Sequence, residues 1–546
     1  MRRFLVPLVL TASIATASFA GAEAVAVGVP NAGAGIGTSA ALSGPNCDPD
    51  TGRVKLPYTG IPECVRELAD GQSNGGATAP GVTADAIEVV VLVWNDEQAA
   101  AAVGVAPRDQ AIGARGTQED AVLDTARLFE HATYQWGRKV EYTFVTSSGS
   151  DEAAQRADAV TVATMKPFLV LNLAGGSTFD SQVASRKIVV LTSGNATKEQ
   201  TTSLAPYLWA QQPDPDGAAT NAAEFIGKSL AGRPAKWAGD EELQQRNRTF
   251  GVVYPPTIID YPGFEAALGK YGADEPAVKI EYTPPNEGTS ESNLTANREI
   301  APTIITRLKT EGVNNVILLT QNLMTQALLE AATEQEFQPE WTITGYGVND
   351  FDYFARMFDQ EQYAHAFGIG SLPPAVLDSP DYTAVLFQWY WGPSQGTVQA
   401  QTTGLLASLY SGIQMAGPKL TATTYQRGLF TSPPVGGAAE DQVTTIQRAY
   451  GKSAGLPYDE YHQSGTDFGL IWWDAAAEGP SNIFPVEGTG KLRFLNGARR
   501  YTAGNWPKGE PRFFDESSSV LLFDGIPASD QPPAYPCEGC PSTGGG

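Results

Sequence analysis

From about residue 85 to residue 372 the chain alternates short apolar runs with longer stretches in which apolar positions recur every three or four residues. The runs are Ile87 to Val93, Lys139 to Val145, Phe168 to Leu173, Ile188 to Thr192, Thr249 to Tyr254, Val278 to Tyr282, Val316 to Thr320 and Trp341 to Thr344. Their length and their Val, Ile and aromatic content predict β-strands. Between them Val122, Ala126, Phe129, Thr133 and Trp136 share one helical face, and Thr117 with Asp120 offers a capping-box start. Ile304 and Leu308 form a second face, with Pro302 near the expected helix start and Gly312 as its C-cap. Ile226 and Leu230 fit a third. Strands alternating with helices are the signature of parallel βαβ units.

The strands form two sets, one before residue 200 and one after residue 248, separated by a helix and the charged loop Lys236 to Arg248. Two lobes of similar build explain this duplication more simply than one long sheet. After residue 375 the pattern turns helical: Val398, Thr402, Leu405, Leu409, Ile413 and Ala416 make one stripe that ends at Gly417-Pro418. Such helices need a sheet to cover, so the chain is expected to return to the first lobe. The fold class expected is α/β, with two doubly wound Rossmann-like lobes and a ligand cleft between them. The expected division is 81–210 with 373–480 for lobe 1 and 211–372 with 481–526 for lobe 2.

The ends differ in character. Arg2 and Arg3, the apolar stretch Phe4 to Ala20 and the small residues after it read as a signal peptide over 1–22, cleaved to leave a secreted or periplasmic chain. Residues 23–80 and 527–546, rich in small residues or in Pro and Gly, read as a flexible extension and a flexible tail. No later segment is apolar enough to span a bilayer, so no membrane insertion is expected. Lys and Arg total 36 against 60 Asp and Glu, a net charge of -24. Such a surface repels phosphate backbones and anionic lipid, which excludes nucleic acid as an expected partner.

Four cysteines, Cys47, Cys64, Cys537 and Cys540, sit near the two ends and allow three connectivities, of which pairing of sequence neighbours is favoured. Cys537 and Cys540 form a lone C-x-x-C, too few ligands for a metal site with His131, His365 and His462 scattered elsewhere. No metal or cofactor is expected. Asp50-Thr51-Gly52 has no second copy with which to share a proton, and Asp467-Phe468-Gly469 lacks the partner motifs of a kinase. Hydrolase nucleophile elbows, zinc-protease motifs and calcium loops are missing from the sequence, so no enzyme is expected.

Polar turns at strand ends are plentiful instead. Val93 runs into Trp94-Asn95-Asp96, Leu173 into Ala174-Gly175-Gly176-Ser177-Thr178, and Leu191 into Thr192-Ser193-Gly194-Asn195. Thr320 runs into Gln321-Asn322, and Thr344 into Gly345-Tyr346-Gly347-Val348-Asn349-Asp350. The carboxyl ends of strands in open α/β sheets are where ligands sit, and hydroxyls, amides and free backbone N–H groups suit a small polar ligand.

Gly81-Val82-Thr83 with Ile87-Glu88-Val89, the Gly-Gly-Ser of 175–177, Ile188-Val189-Val190 leading to Ser193-Gly194, Gly251-Val252-Val253-Tyr254 with Tyr261 and Gly263, Arg307-Leu308-Lys309 through Gly312 to Val316-Ile317-Leu318, and Phe337-Gln338-Pro339-Glu340-Trp341 occur in order over about 80–500. In this the chain resembles the type I periplasmic solute-binding proteins, the branch that includes branched-chain amino-acid receptors of ABC importers. The resemblance implies two wound lobes, three hinge crossings and a ligand held between the lobes. It further implies that Gly176, Ser177, Thr178, Ser193 and Gly194 bind a ligand carboxylate from the first lobe. Trp94 would line that wall, and Tyr261, Gln321 and Asn349 or Asp350 would close from the second. The chain departs from the pattern in lacking a lipid-anchor cysteine, in its cysteine-bearing extension, and in lacking a clear glutamate for a ligand amine. Either Asp350 substitutes, or the ligand has no amine. The function so implied is capture of a small polar solute (amino acid, amide or carboxylate) for an ABC permease. The alternatives are a sensor or scavenger of the same fold without a transporter, a secreted hydrolase using Asp350 or Asp96, and an envelope interaction protein.

Overall fold

The computed structural model describes residues 34–56, 61–95, 118–285, 290–376, 400–432, 446–451, 462, 465–482 and 486–525. The expected signal peptide, Asp96, Thr117, Val398, Cys537, Cys540 and the expected tail lie outside the described residues.

Lobe 1 is built on five parallel strands whose spatial order is Lys139–Thr146, Ala86–Val93, Leu169–Asn172, Val189–Thr192 and Leu208–Ala210. Lobe 2 repeats the arrangement with Val278–Glu281, Phe250–Tyr254, Asn315–Leu318, Glu340–Thr344 and Ala366–Gly370. Numbered along the chain within each lobe, both sets run 2-1-3-4-5. Leu169–Asn172, Val189–Thr192 and Asn315–Leu318 are buried along their whole length, which is why they read as unbroken apolar runs with no alternation. Helix Gln118–Ala132 turns Val122, Ala126 and Phe129 onto the lobe 1 sheet. Helix Ala400–Ala416 adds Leu405, Leu409 and Ile413 to the same core.

The structure corrects several expectations. The fifth strand of each lobe, Leu208–Ala210 and Ala366–Gly370, does not stand out in the sequence. Asp467–Pro480, expected in lobe 1, pairs antiparallel with Ala366–Gly370 and then with Glu487–Leu495, so the chain re-enters lobe 2 before residue 467. Its apolar run fits either sheet; what decides is that Phe468, Leu470 and Trp472 fill the core on one face of the lobe 2 sheet while Ile471 and Trp473 fill the core on the other. Pro302 lies inside helix Ser290–Thr310 and not near its start. Its carbonyl accepts from Thr306 Oγ1 and Gln335 Nε2, both at 2.8 Å. Trp136 lies beyond the end of its helix at φ 59°, and its Nε1–H donates to Gln414 O at 3.0 Å.

The extension expected to be flexible is folded over its described residues. Cys47 and Cys64 are disulfide-bonded, Cys47–Asp48 pairs with Arg53–Val54, and Ala34 and Val65 pack with Trp136 and Met415. Gln414 Nε2–H donates to Glu63 O at 2.6 Å. The contacts with Met415 and Gln414 come from residues more than 300 positions away, where local composition carries no trace of them.

Candidate functional site

Among the described residues, three segments carry the chain between the lobes. The first, Gln211 to Asp214, joins strand Leu208–Ala210 to helix Pro215–Phe225. The second leaves strand Ala366–Gly370 at Ser371, and the third returns to strand Asp467–Pro480 past Gly465. They are tied together. Ala210 N–H donates to His462 O at 3.0 Å, and Gln447 N–H to Asp467 Oδ1 at 3.0 Å. Arg500, ion-paired with Asp467 at 3.0 Å, donates from Nη2 to Ser371 O and to Asp467 O, both at 2.7 Å. His462 stacks on Trp209 at 4.1 Å, and its Nδ1 pairs with Leu208 O at 2.8 Å. Burial pulls this imidazole down to about 4, so it stays neutral and serves as packing.

A cavity of about 190 Å³ opens between the lobes. Lobe 1 contributes Ser193 and Asn195, and lobe 2 contributes Ala218, Gly345 to Val348, Asp350 and Phe351. The three crossings supply Gln211, Gln212 and Pro213, then Ser371 and Leu372, then Ile446, Arg448 and Gly465.

The lobe 2 wall is a strained turn held from behind. Gly347 sits at φ 72°, and a Cβ there would lie 2.1 Å from Thr320 O. Val348 follows at φ 57°, a left-handed conformation that a β-branched residue adopts only when its surroundings impose it. Asn349 imposes it from beneath: its Nδ2 donates to Thr320 O at 2.7 Å and to Tyr346 O at 3.2 Å, while Tyr363 OH donates to Asn349 O at 2.5 Å.

Asp350 is 1% exposed. Its Oδ2 accepts from the Ser371 backbone N–H and, at 2.8 Å, from Ser371 Oγ, while Oδ1 has no hydrogen-bond partner. Burial pushes the carboxyl up, and the bonds from Ser371 and the backbone N–H of Leu372 pull it back down. An unsatisfied acceptor in a buried carboxyl is costly, so a ligand donor reaching it would relieve that cost.

Of the residues expected at the site, Ser193 and Asp350 are brought together in the lining. The others are not among the lining residues. Trp94 follows strand Ala86–Val93 and its backbone N–H donates to Gln118 Oε1 at 2.8 Å. Gly176, at φ 102°, caps helix Ser177–Ser185, which places Ser177 and Thr178 in its first turn. Gly194 O accepts from Gln212 N–H at 3.2 Å. Tyr261 opens helix Tyr261–Tyr271 and stacks on Tyr254 at 4.3 Å. Gln321 caps helix Asn322–Glu334 and donates its N–H to Tyr282 OH at 3.1 Å. Topology explains the division: Trp94, Gly176, Tyr261 and Gln321 follow the first and third strands of their lobes, whereas the cavity lies at the fourth and fifth, where the crossings leave. Gln211, Ser371 and Arg448 lie on crossings whose flanking strands the sequence does not announce.

No protein-family model and no curated protein matches the chain. Solved structures do. A leucine-, isoleucine-, valine-, threonine- and alanine-binding protein from Brucella ovis aligns at 12% identity over 78% of this chain and 98% of its own, with a TM-score of 0.49. A Rhodopseudomonas palustris solute-binding protein in complex with 3,4-dihydroxybenzoic acid gives 10%, 77%, 98% and 0.47 for the same measures. A fatty acid ABC transporter substrate-binding protein from Thermomonospora curvata gives 14%, 79%, 99% and 0.46. The likeness to these structures is one of fold. Among the described residues, no helix is long and apolar enough to cross a membrane.

Proposed function

We propose that this protein is a secreted receptor that captures a small solute in the interlobe cavity and presents it to an ABC permease. One observation carries the reading: the cavity is lined from both lobes and from all three crossings. A ligand there touches both halves and the hinge segments at once, so its binding energy differs between open and closed arrangements and shifts the population toward closure. The lining combines apolar surface from Tyr346, Phe351, Leu372 and Ile446 with single polar groups, as expected for selective small-molecule capture.

The test is a thermal-shift screen of the full chain with amino acids, amides, aromatic acids and short peptides. A ligand at 100 times its dissociation constant adds about 2.7 kcal/mol, a readable shift. The shift should vanish in Asp350→Ala and Tyr346→Ala and persist in Ser177→Ala. A ligand whose shift survives both cavity substitutions would place binding elsewhere and overturn the reading.

A further inference from the structure

Gly404 lies within helix Ala400–Ala416, where glycine is unfavourable relative to alanine and so calls for a reason. The reason is in the site. A Cβ on Gly404 would stand 2.1 Å from Gln211 Nε2, 2.9 Å from Gln211 Cδ and 3.1 Å from Arg448 Nη1. Two side chains that line the cavity, from the first and the third crossings, therefore rest their polar heads in the notch left by the missing methyl group. Both heads are N–H donors, and Arg448 is the one cation among the described lining residues.

We propose that Gln211 and Arg448 form the anchor for the anionic end of the ligand, and that Gly404 is the positioning residue that seats them. This rests on the interlobe-capture reading and adds to it the residues that hold the ligand's anionic end. A guanidinium presents a planar fork of donors that matches a carboxylate, and an amide N–H beside it supplies a further bond. The anion anchor thus sits on the hinge segments instead of on the glycine-serine turn at 175–178, which is outside the lining.

Gly404→Ala separates this role from a structural one. The group it displaces first is the end of a flexible glutamine side chain, so the variant folds, and alanine improves the helix. Isothermal titration of the full chain would use matched probes: leucine and leucinamide, 4-methylpentanoate and 4-methylpentanamide, 4-hydroxybenzoate and 4-hydroxybenzamide. At least one acid should bind about tenfold or more tighter than its amide. Gly404→Ala and Arg448→Gln should each weaken that acid by about tenfold and narrow the acid-to-amide ratio, with the unliganded melting temperature of Gly404→Ala unchanged or raised. Amides that bind as tightly as their acids in an Asp350-dependent way would overturn the anchor and leave the capture reading standing. An acid preference that survives Gly404→Ala and Arg448→Gln would overturn the anchor as well. Binding of no probe, acid or amide, would remove both.

Discussion

Single residues set the shape of the cavity wall. Gly347 combines a left-handed φ of 72° with a Cβ position 2.1 Å from a backbone oxygen, and a backbone atom cannot swing aside as a side chain can. Gly347→Ala should cost at least about 2 kcal/mol and abolish any ligand-induced shift in melting temperature. Gly232, at φ 71° with nothing within 4 Å of its Cβ position, is the control. Gly232→Ala should cost only about 1 kcal/mol of backbone strain and leave ligand binding intact. Equal losses in the two variants, read from urea midpoints, would mean that φ alone explains Gly347. The polar residues at this scale were partly legible: Ser193 and Asp350 line the cavity. Asn349 looks equivalent to Asp350 in the sequence but spends its amide on two backbone carbonyls. Only the direction in which each side chain leaves the turn separates the two.

Among the elements, the first crossing carries a titratable group of its own. Asp214 caps helix Pro215–Phe225, accepting from Asp216 N–H at 3.2 Å, and is fully buried. Burial, with the Asp216 charge adding to it, raises its carboxyl from the ordinary 3.8 to about 7. The folded state then holds a proton that the unfolded chain has released. Its stabilising contribution is present below about 4 and is lost as pH rises through about 7. Asp214→Asn keeps an N-cap acceptor but cannot titrate. Between pH 5 and pH 8 the wild type should therefore lose stability relative to the variant, as denaturant midpoints at the two pH values would show. Parallel curves would remove Asp214 as the source. Most elements announced themselves, the strands as apolar runs and the helices as stripes. The exceptions are instructive: Leu208–Ala210 and Ala366–Gly370 are short, and Ala366–Gly370 has glycine at two of its five positions, so neither has the branched-residue density of its neighbours. Gly368 is required there, since a Cβ would lie 2.0 Å from Ile343 O.

Taken whole, the described residues form two copies of one wound arrangement joined by three crossings, with the candidate site at the joint. Arg500 and Asp467 bind the second crossing to the third, so the crossings are expected to bend as a unit. A saturating ligand should reduce the radius of gyration in solution scattering, and the reduction should be absent in Asp350→Ala. A bound ligand that leaves the scattering curve unchanged would show that capture proceeds without closure.

The order of apolar runs and helical stripes, which follows from local periodicity, was enough to establish an α/β chain with a duplicated pattern, and the placing of the helices after residue 400 on lobe 1 followed from their need for a sheet. Periodicity reports which face of an element is buried and says nothing of its neighbour. For that reason the docking of the N-terminal segment on Trp136, the transfer of Asp467–Pro480 to lobe 2 and the meeting of Gln211 with Arg448 over Gly404 were invisible until the chain was folded. Each depends on contacts between residues far apart in the chain, and no local pattern encodes the partner.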